Sequence, residues 1–139
     1  MTRRLTIRPE LAQLDRLASW AEDFVHVAGI PSDRLFAIQL CVEEAVANVI
    51  RHSGAADGRE DIAVELVQSE DQVLATVADR GRSFDPTAAP AFCKPASIAE
   101  ASAGRFGIHL MRTFADEMRY ERRDGWNRLT LRFGPAQAA

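Results

Sequence analysis

The chain has 139 residues, 47% of them hydrophobic and 27% charged, with a formal net charge of −3. That length suits one domain able to bury a core without disulfides or a structural metal. The weak negative charge argues against a broad nucleic-acid surface, and no stretch approaches the roughly 20 apolar residues needed to span a bilayer.

Cys41 and Cys93 stand far apart and outside any metal-ligand spacing, so both read as free thiols of a reducing compartment. No apolar run of signal-peptide length follows Arg3 and Arg4. The expected location is cytoplasmic, with neither direct nucleic-acid nor membrane partners.

In chain order, a short strand is expected at residues 5–8, with Pro9 suited to the first turn of a helix. Leu11, Leu14, Leu17, Ala18, Ala21, Phe24, Val25 and Ala28 recur at three- and four-residue steps. They describe one amphipathic helix, stopped by Gly29. A second helix is expected from Ser32, a good N-cap residue, to about His52. Its apolar stripe is Leu35, Ile38, Cys41, Val42, Ala45, Val46 and Val49. A loop follows at residues 53–58.

Ile62, Val64 and Leu66 alternate with Ala63 and Glu65, and Val73, Ala75 and Val77 alternate with Leu74 and Thr76. These are two strands joined by a turn at residues 69–71, the second running into Asp79. Residues 86–103 are rich in Ala, Pro and Ser with little periodicity, a long loop of the kind that is functional or disordered. A helix over about residues 106–115 and a closing hairpin turned at Asp124-Gly125 complete the chain. Half-polar strands need helices on one side only. The expected fold is therefore an α/β (α+β) two-layer sandwich, its sheet mixed but mostly antiparallel, forming a single domain over residues 1–139.

Three features carry chemistry. Glu44 and Asn48 lie one turn apart on the second helix, followed by Arg51 and His52, in a row beside the apolar stripe. A carboxamide oxygen suits Mg²⁺, and a nearby carboxylate suits proton transfer; the alternative is a solvated helix face. Asp79 ends an apolar strand and precedes Gly81 and Phe84, placing an acceptor for an amino group where the backbone can approach a flat ring; the alternative is an ordinary turn. Gly104, Arg105, Phe106, Gly107 and Ile108 open a helix, where free N–H groups and a cation favour phosphate; the alternative is a flexible loop.

In this order, the motifs resemble those of the anti-sigma-factor serine/threonine kinases, within the superfamily of histidine-kinase catalytic domains and gyrase-type ATPases. Residues 43–52 are similar to the family's N box, 79–86 to its first glycine box and 104–110 to its second. Ser83 stands near the place of a second glycine, and Arg105 where many members have another. The resemblance implies a Bergerat-type ATP-binding fold with ATP or ADP and Mg²⁺ as cofactors. It implies Glu44 as catalytic base and Asn48 as Mg²⁺ ligand. Asp79 would hold adenine with Gly81 and, through water, Thr130. Gly104, Arg105 and Gly107 would approach the phosphates, under a lid at about residues 86–103.

The resemblance further implies a protein that sequesters a sigma factor or related regulator and phosphorylates a small anti-sigma antagonist, switching partners. Similar proteins are commonly dimers, so a homodimer is a candidate assembly. The alternative within the same fold is a non-catalytic ATP-binding module that binds partner proteins without phosphoryl transfer. A detached histidine-kinase domain or a gyrase-type ATPase fits less well, because the helical pair or further domains they use find no place in 139 residues.

Overall fold

The structure, a computed structural model, describes residues 1–52, 61–88 and 105–135. In order these form β1 (Thr2–Ile7), a 3-10 turn (Leu11–Gln13), α1 (Leu14–Val27), α2 (Ser32–His52), β2 (Ile62–Ser69) and β3 (Gln72–Asp79). A second 3-10 turn (Pro86–Ala88), α3 (Arg105–Phe114), β4 (Glu117–Arg123) and β5 (Trp126–Phe133) follow.

Alternation along the strands builds one apolar face. The register aligns Val64 with Val77 and Leu129 across three strands, and Leu66 with Ala75 and Leu131; all six are buried. Residues one step out of phase form a polar row on the other face: Arg4, Glu65, Thr76, Thr130 and Arg119. Arg4 Nε donates to Glu65 Oε2 at 2.5 Å across that row. Only the apolar face needs cover, so the helices pack there, with α2 in contact with both α1 and α3. Leu17, Ala21 and Phe24 from α1, Ile38, Val42 and Val46 from α2, and Ile108 and Met111 from α3 join the strands in one core.

The sheet order is β1-β2-β3-β5-β4, and all four pairings are antiparallel. The sandwich is as expected, but the sheet is not mixed among the described residues. β3 and β4 do run parallel, as the α3 crossover requires. β5 turns back and inserts between them, leaving no parallel neighbours.

Local chemistry sets the boundaries. Gly29 adopts φ +70°, and α1 closes with Ile30 N–H to Val25 O at 3.1 Å and Gly29 N–H to His26 O at 3.2 Å. This paired closure needs a left-handed residue, which glycine supplies without strain. Asp124 and Gly125 take φ 53° and 83°, the turn that matches strand twist in a two-residue hairpin. α1 begins only at Leu14, after the 3-10 turn, so Pro9 lies outside it. Ser32 is the first helical residue and not the cap, a shift of one position. Cys41 is buried and free; burial, and then Glu44 nearby, push its thiol up to about 12. The expected loop at 53–58, Cys93 and the lid beyond residue 88 lie outside the described residues.

Candidate nucleotide site

The polar residues of the site arise where strand and helix patterns would otherwise continue apolar. Asp79 shares the phase of Val73, Ala75 and Val77, so it points to the helix-covered face at the end of β3 and is 2% exposed. Asn127 is its register partner on β5, in phase with Leu129 and Leu131, and is also buried. On α2, Asn48 follows Ala45 on the buried side and is 3% exposed. These residues line a narrow cleft with Val49, Val77, Phe84, Pro86, Tyr120 and Leu129, its enclosed volume about 20 Å³.

Asn48 is the anomaly. Neither its Oδ1 nor its Nδ2 has a hydrogen-bond partner among the described residues. A buried amide left unpaired costs about 1–3 kcal/mol, and buried polar groups are otherwise almost always satisfied. Its neighbour across the cleft is well held on one side only. Asp79 Oδ2 accepts from Gly81 N–H at 2.8 Å and from Asn127 Nδ2 at 3.2 Å. Its Oδ1 carries no hydrogen bond among the described residues. The site thus presents one unpartnered amide and one unpartnered carboxylate oxygen, suited to a ligand with a hydrogen-bond donor and a hard cation or acceptor. Among the described residues no group of three His, Cys, Asp or Glu side chains could hold a metal. A cation here would have to complete its shell with ligand oxygens and water.

The loop after Asp79 is tied to the hairpin. Asn127 Nδ2 lies 2.8 Å from Arg82 O, Arg122 Nη1 donates to Gly81 O at 2.6 Å, and Ser83 Oγ is 3.3 Å from Tyr120 Oη. Further on, Thr87 N–H donates to Asp85 Oδ1 at 2.8 Å and starts the turn that carries Pro86 into the cleft wall. The Phe84 ring stacks on His52, with centroids 4.5 Å apart and planes at 18°. Burial, and then Arg51, lower the pKa of His52, which favours the neutral ring for stacking.

Glu44 lies one turn before Asn48, half-buried, and Gly107 of α3 packs directly against its carboxylate. Glu43 sits in a different environment: burial, then Glu44 and Asp15, raise its pKa. Glu44 thus sits at the α2–α3 contact.

Of the residues expected from sequence, Asn48, Asp79 and Phe84 line the cleft, with Gly81 bonded to Asp79 and His52 stacked on Phe84, while Glu44 and Gly107 meet at the α2–α3 contact. Arg51 is exposed at the end of α2. The Ile108 side chain belongs to the core, so only its backbone is available to a ligand. Gly104 and the side chains of Arg105 and Phe106 lie outside the described residues. Thr130 requires a correction. It lies on the opposite face of the sheet, its Oγ1 3.5 Å from Thr76 Oγ1, because it is out of phase with Leu129 and Leu131. Asn127 holds the position beside Asp79. The same alternation, followed two residues back from Leu129, points to Asn127, which the sequence reading missed along with Tyr120.

A family model described as a histidine kinase-like ATPase domain matches residues 7–133. The serine/threonine-protein kinase BtrW of Bordetella bronchiseptica is 38% identical over 96 residues, covering 69% of this chain and 68% of that protein. The serine-protein kinase RsbW of Listeria monocytogenes is 26% identical over 123 residues, covering 86% of this chain and 77% of that one. Among solved structures, the RsbU and RsbW domains of Rv1364c from Mycobacterium tuberculosis superpose with a TM-score of 0.70 at 18% identity. That match covers 100% of this chain and 34% of the other, and shows the shared fold. The chain belongs to the histidine kinase-like ATPase domain family, as one of its serine/threonine-kinase members.

Proposed function

We propose that this kinase binds Mg-ATP in the cleft between Asn48 and Asp79 and phosphorylates a serine of a small anti-sigma antagonist protein. When that antagonist is absent or phosphorylated, it holds a sigma factor or a related regulator. It acts in the cytoplasm, as one ATP-binding domain; no helix among the described residues is long and apolar enough to cross a membrane. The observation that carries the nucleotide reading is the buried, unpartnered Asn48 amide facing the half-satisfied Asp79 carboxylate.

Asp79 Oδ1 receives the amino group of adenine, while Gly81 lets the loop backbone approach the ring. Asn48 Oδ1 would hold Mg²⁺, which would supply positive charge to the phosphates. Arg105 and Gly107 at the start of α3 would approach the phosphates. Glu44 takes the proton of the substrate serine hydroxyl as the new oxygen–phosphorus bond forms. The bond from the γ-phosphorus to the bridging oxygen breaks, and ADP is left. Positioning and charge stabilisation supply most of what such a transfer needs.

Calorimetry with Mg-ATP and Mg-ADP tests the reading. Wild type binds both, and Asp79→Asn, which replaces the acceptor with a mismatched amide, loses about 1–3 kcal/mol of affinity. A wild type blind to both nucleotides, or an Asp79→Asn protein with unchanged affinity, refutes it.

A further inference from the structure

We infer that Ser83, Tyr120 and Asn127 form a one-way chain of hydrogen bonds that holds Asp79 in the orientation selecting a 6-amino purine over a 6-oxo purine. The inference rests on the nucleotide reading above and adds positioning residues to it.

The orientation of the Asn127 amide is settled by its surroundings. On one side stand three acceptors: Arg82 O at 2.8 Å, Asp79 Oδ2 at 3.2 Å and Gly81 O at 3.4 Å. The NH₂ must face them, since a flipped amide would set oxygen against oxygen. Asn127 Oδ1 therefore faces Tyr120 and accepts its hydroxyl proton at 2.5 Å. The single Tyr120 proton is then used, so the contact with Ser83 Oγ at 3.3 Å has the serine donating. Protons run in one direction, from Ser83 to Tyr120 to Asn127 and onto the carboxylate.

The chain ends on one oxygen of Asp79. Gly81 N–H and Asn127 both bond Oδ2, which locks the carboxylate plane and leaves Oδ1 as an acceptor. A carboxylate offers no donor. An amino group at the purine 6-position is matched; a carbonyl there meets oxygen with oxygen. The Asn127 protons are shared among protein acceptors, so Asn127 acts through Asp79. With Asn127 5% exposed, water is a poor substitute for these bonds.

The test measures the affinities of Mg-ATP and Mg-ITP for the whole chain as wild type, Tyr120→Phe, Asn127→Leu and the double variant, with melting curves for each. Inosine triphosphate carries a carbonyl where ATP carries the amine. Wild type should prefer ATP. Tyr120→Phe keeps the ring in the cleft wall and loses only the hydroxyl, and should lower the ATP-to-ITP affinity ratio about five- to tenfold. Asn127→Leu should lower it at least as far, and adding Tyr120→Phe to Asn127→Leu should change the ratio no further. If Asn127→Leu fails to fold, Ser83→Ala replaces it, with a smaller drop in the same direction. Variants that weaken ATP and ITP equally, keeping the wild-type ratio, would show the chain to be scaffolding and overturn the inference alone. A wild type that binds neither nucleotide overturns the nucleotide reading as well.

Discussion

Gly107 on α3 lies against the Glu44 carboxylate on α2 so closely that a methyl group at residue 107 would overlap Glu44 Oε2. All three nearest atoms to that methyl belong to Glu44, so the glycine makes room for this one side chain. The obstacle is the far end of a flexible chain, which can swing aside. Gly107→Ala should therefore leave stability unchanged or raise it by up to about 1 kcal/mol, the helix-propensity gain. It should slow phosphoryl transfer by displacing Glu44. Melting curves and phosphate incorporation, measured together, check the separation. A variant that loses stability and keeps its rate would contradict it.

Asn48 sets ligand binding against stability. Its amide, unpaired among the described residues, is a cost carried by the ligand-free protein. Asn48→Leu, close in size and apolar, should stabilise the ligand-free protein by about 1–3 kcal/mol and abolish Mg-ATP binding. Denaturant titration without nucleotide and calorimetry with it give the two readings. A destabilised Asn48→Leu protein would mean that the amide has a partner in the folded chain.

Glu43 gives a pH dependence of definite sign. Its folded pKa is raised by burial, then by Glu44 and Asp15. Between the unfolded value, about 4.3, and the raised folded value, the native state binds more protons than the unfolded one. Its contribution to stability is present below that window and lost as pH rises through it. Glu43→Gln should raise the melting temperature at pH 7, and the gain should disappear below about pH 4. A gain independent of pH, or a loss at pH 7, would assign Glu43 a different environment.

Much of this was legible from residue order. Helical periodicity placed Glu44 and Asn48 one turn apart on one face, and their expected roles came from the resemblance. Asp79 needed only the phase of β3, and Asp124-Gly125 marked the last hairpin by its own backbone preference. Asn127 and Tyr120 were not found because their importance depends on register. Nothing local in β4 or β5 says that β5 inserts beside β3 and brings Asn127 opposite Asp79. The Thr130 expectation failed on information already present, since strict alternation with Leu129 and Leu131 turns it to the outer face. Ser83, read as the place of a missing glycine, acquires a role only once Tyr120 is beside it. β1 begins earlier than expected, at Thr2, because an exposed edge strand tolerates the polar run Thr2-Arg3-Arg4.

Glu44→Gln tests whether this carboxylate drives the phosphoryl transfer. The substitution keeps shape and hydrogen-bonding capacity and removes the base. Loss of a general base costs about 10²–10⁴-fold in rate. The measurement is the single-turnover rate of phosphate incorporation into the co-purifying antagonist protein, located by mass spectrometry, at saturating Mg-ATP. The expected result is a rate reduced by about 10²-fold or more, with Mg-ATP affinity and partner binding unchanged. A Glu44→Gln protein that phosphorylates its partner as fast as wild type would show that the proton leaves the serine by another route.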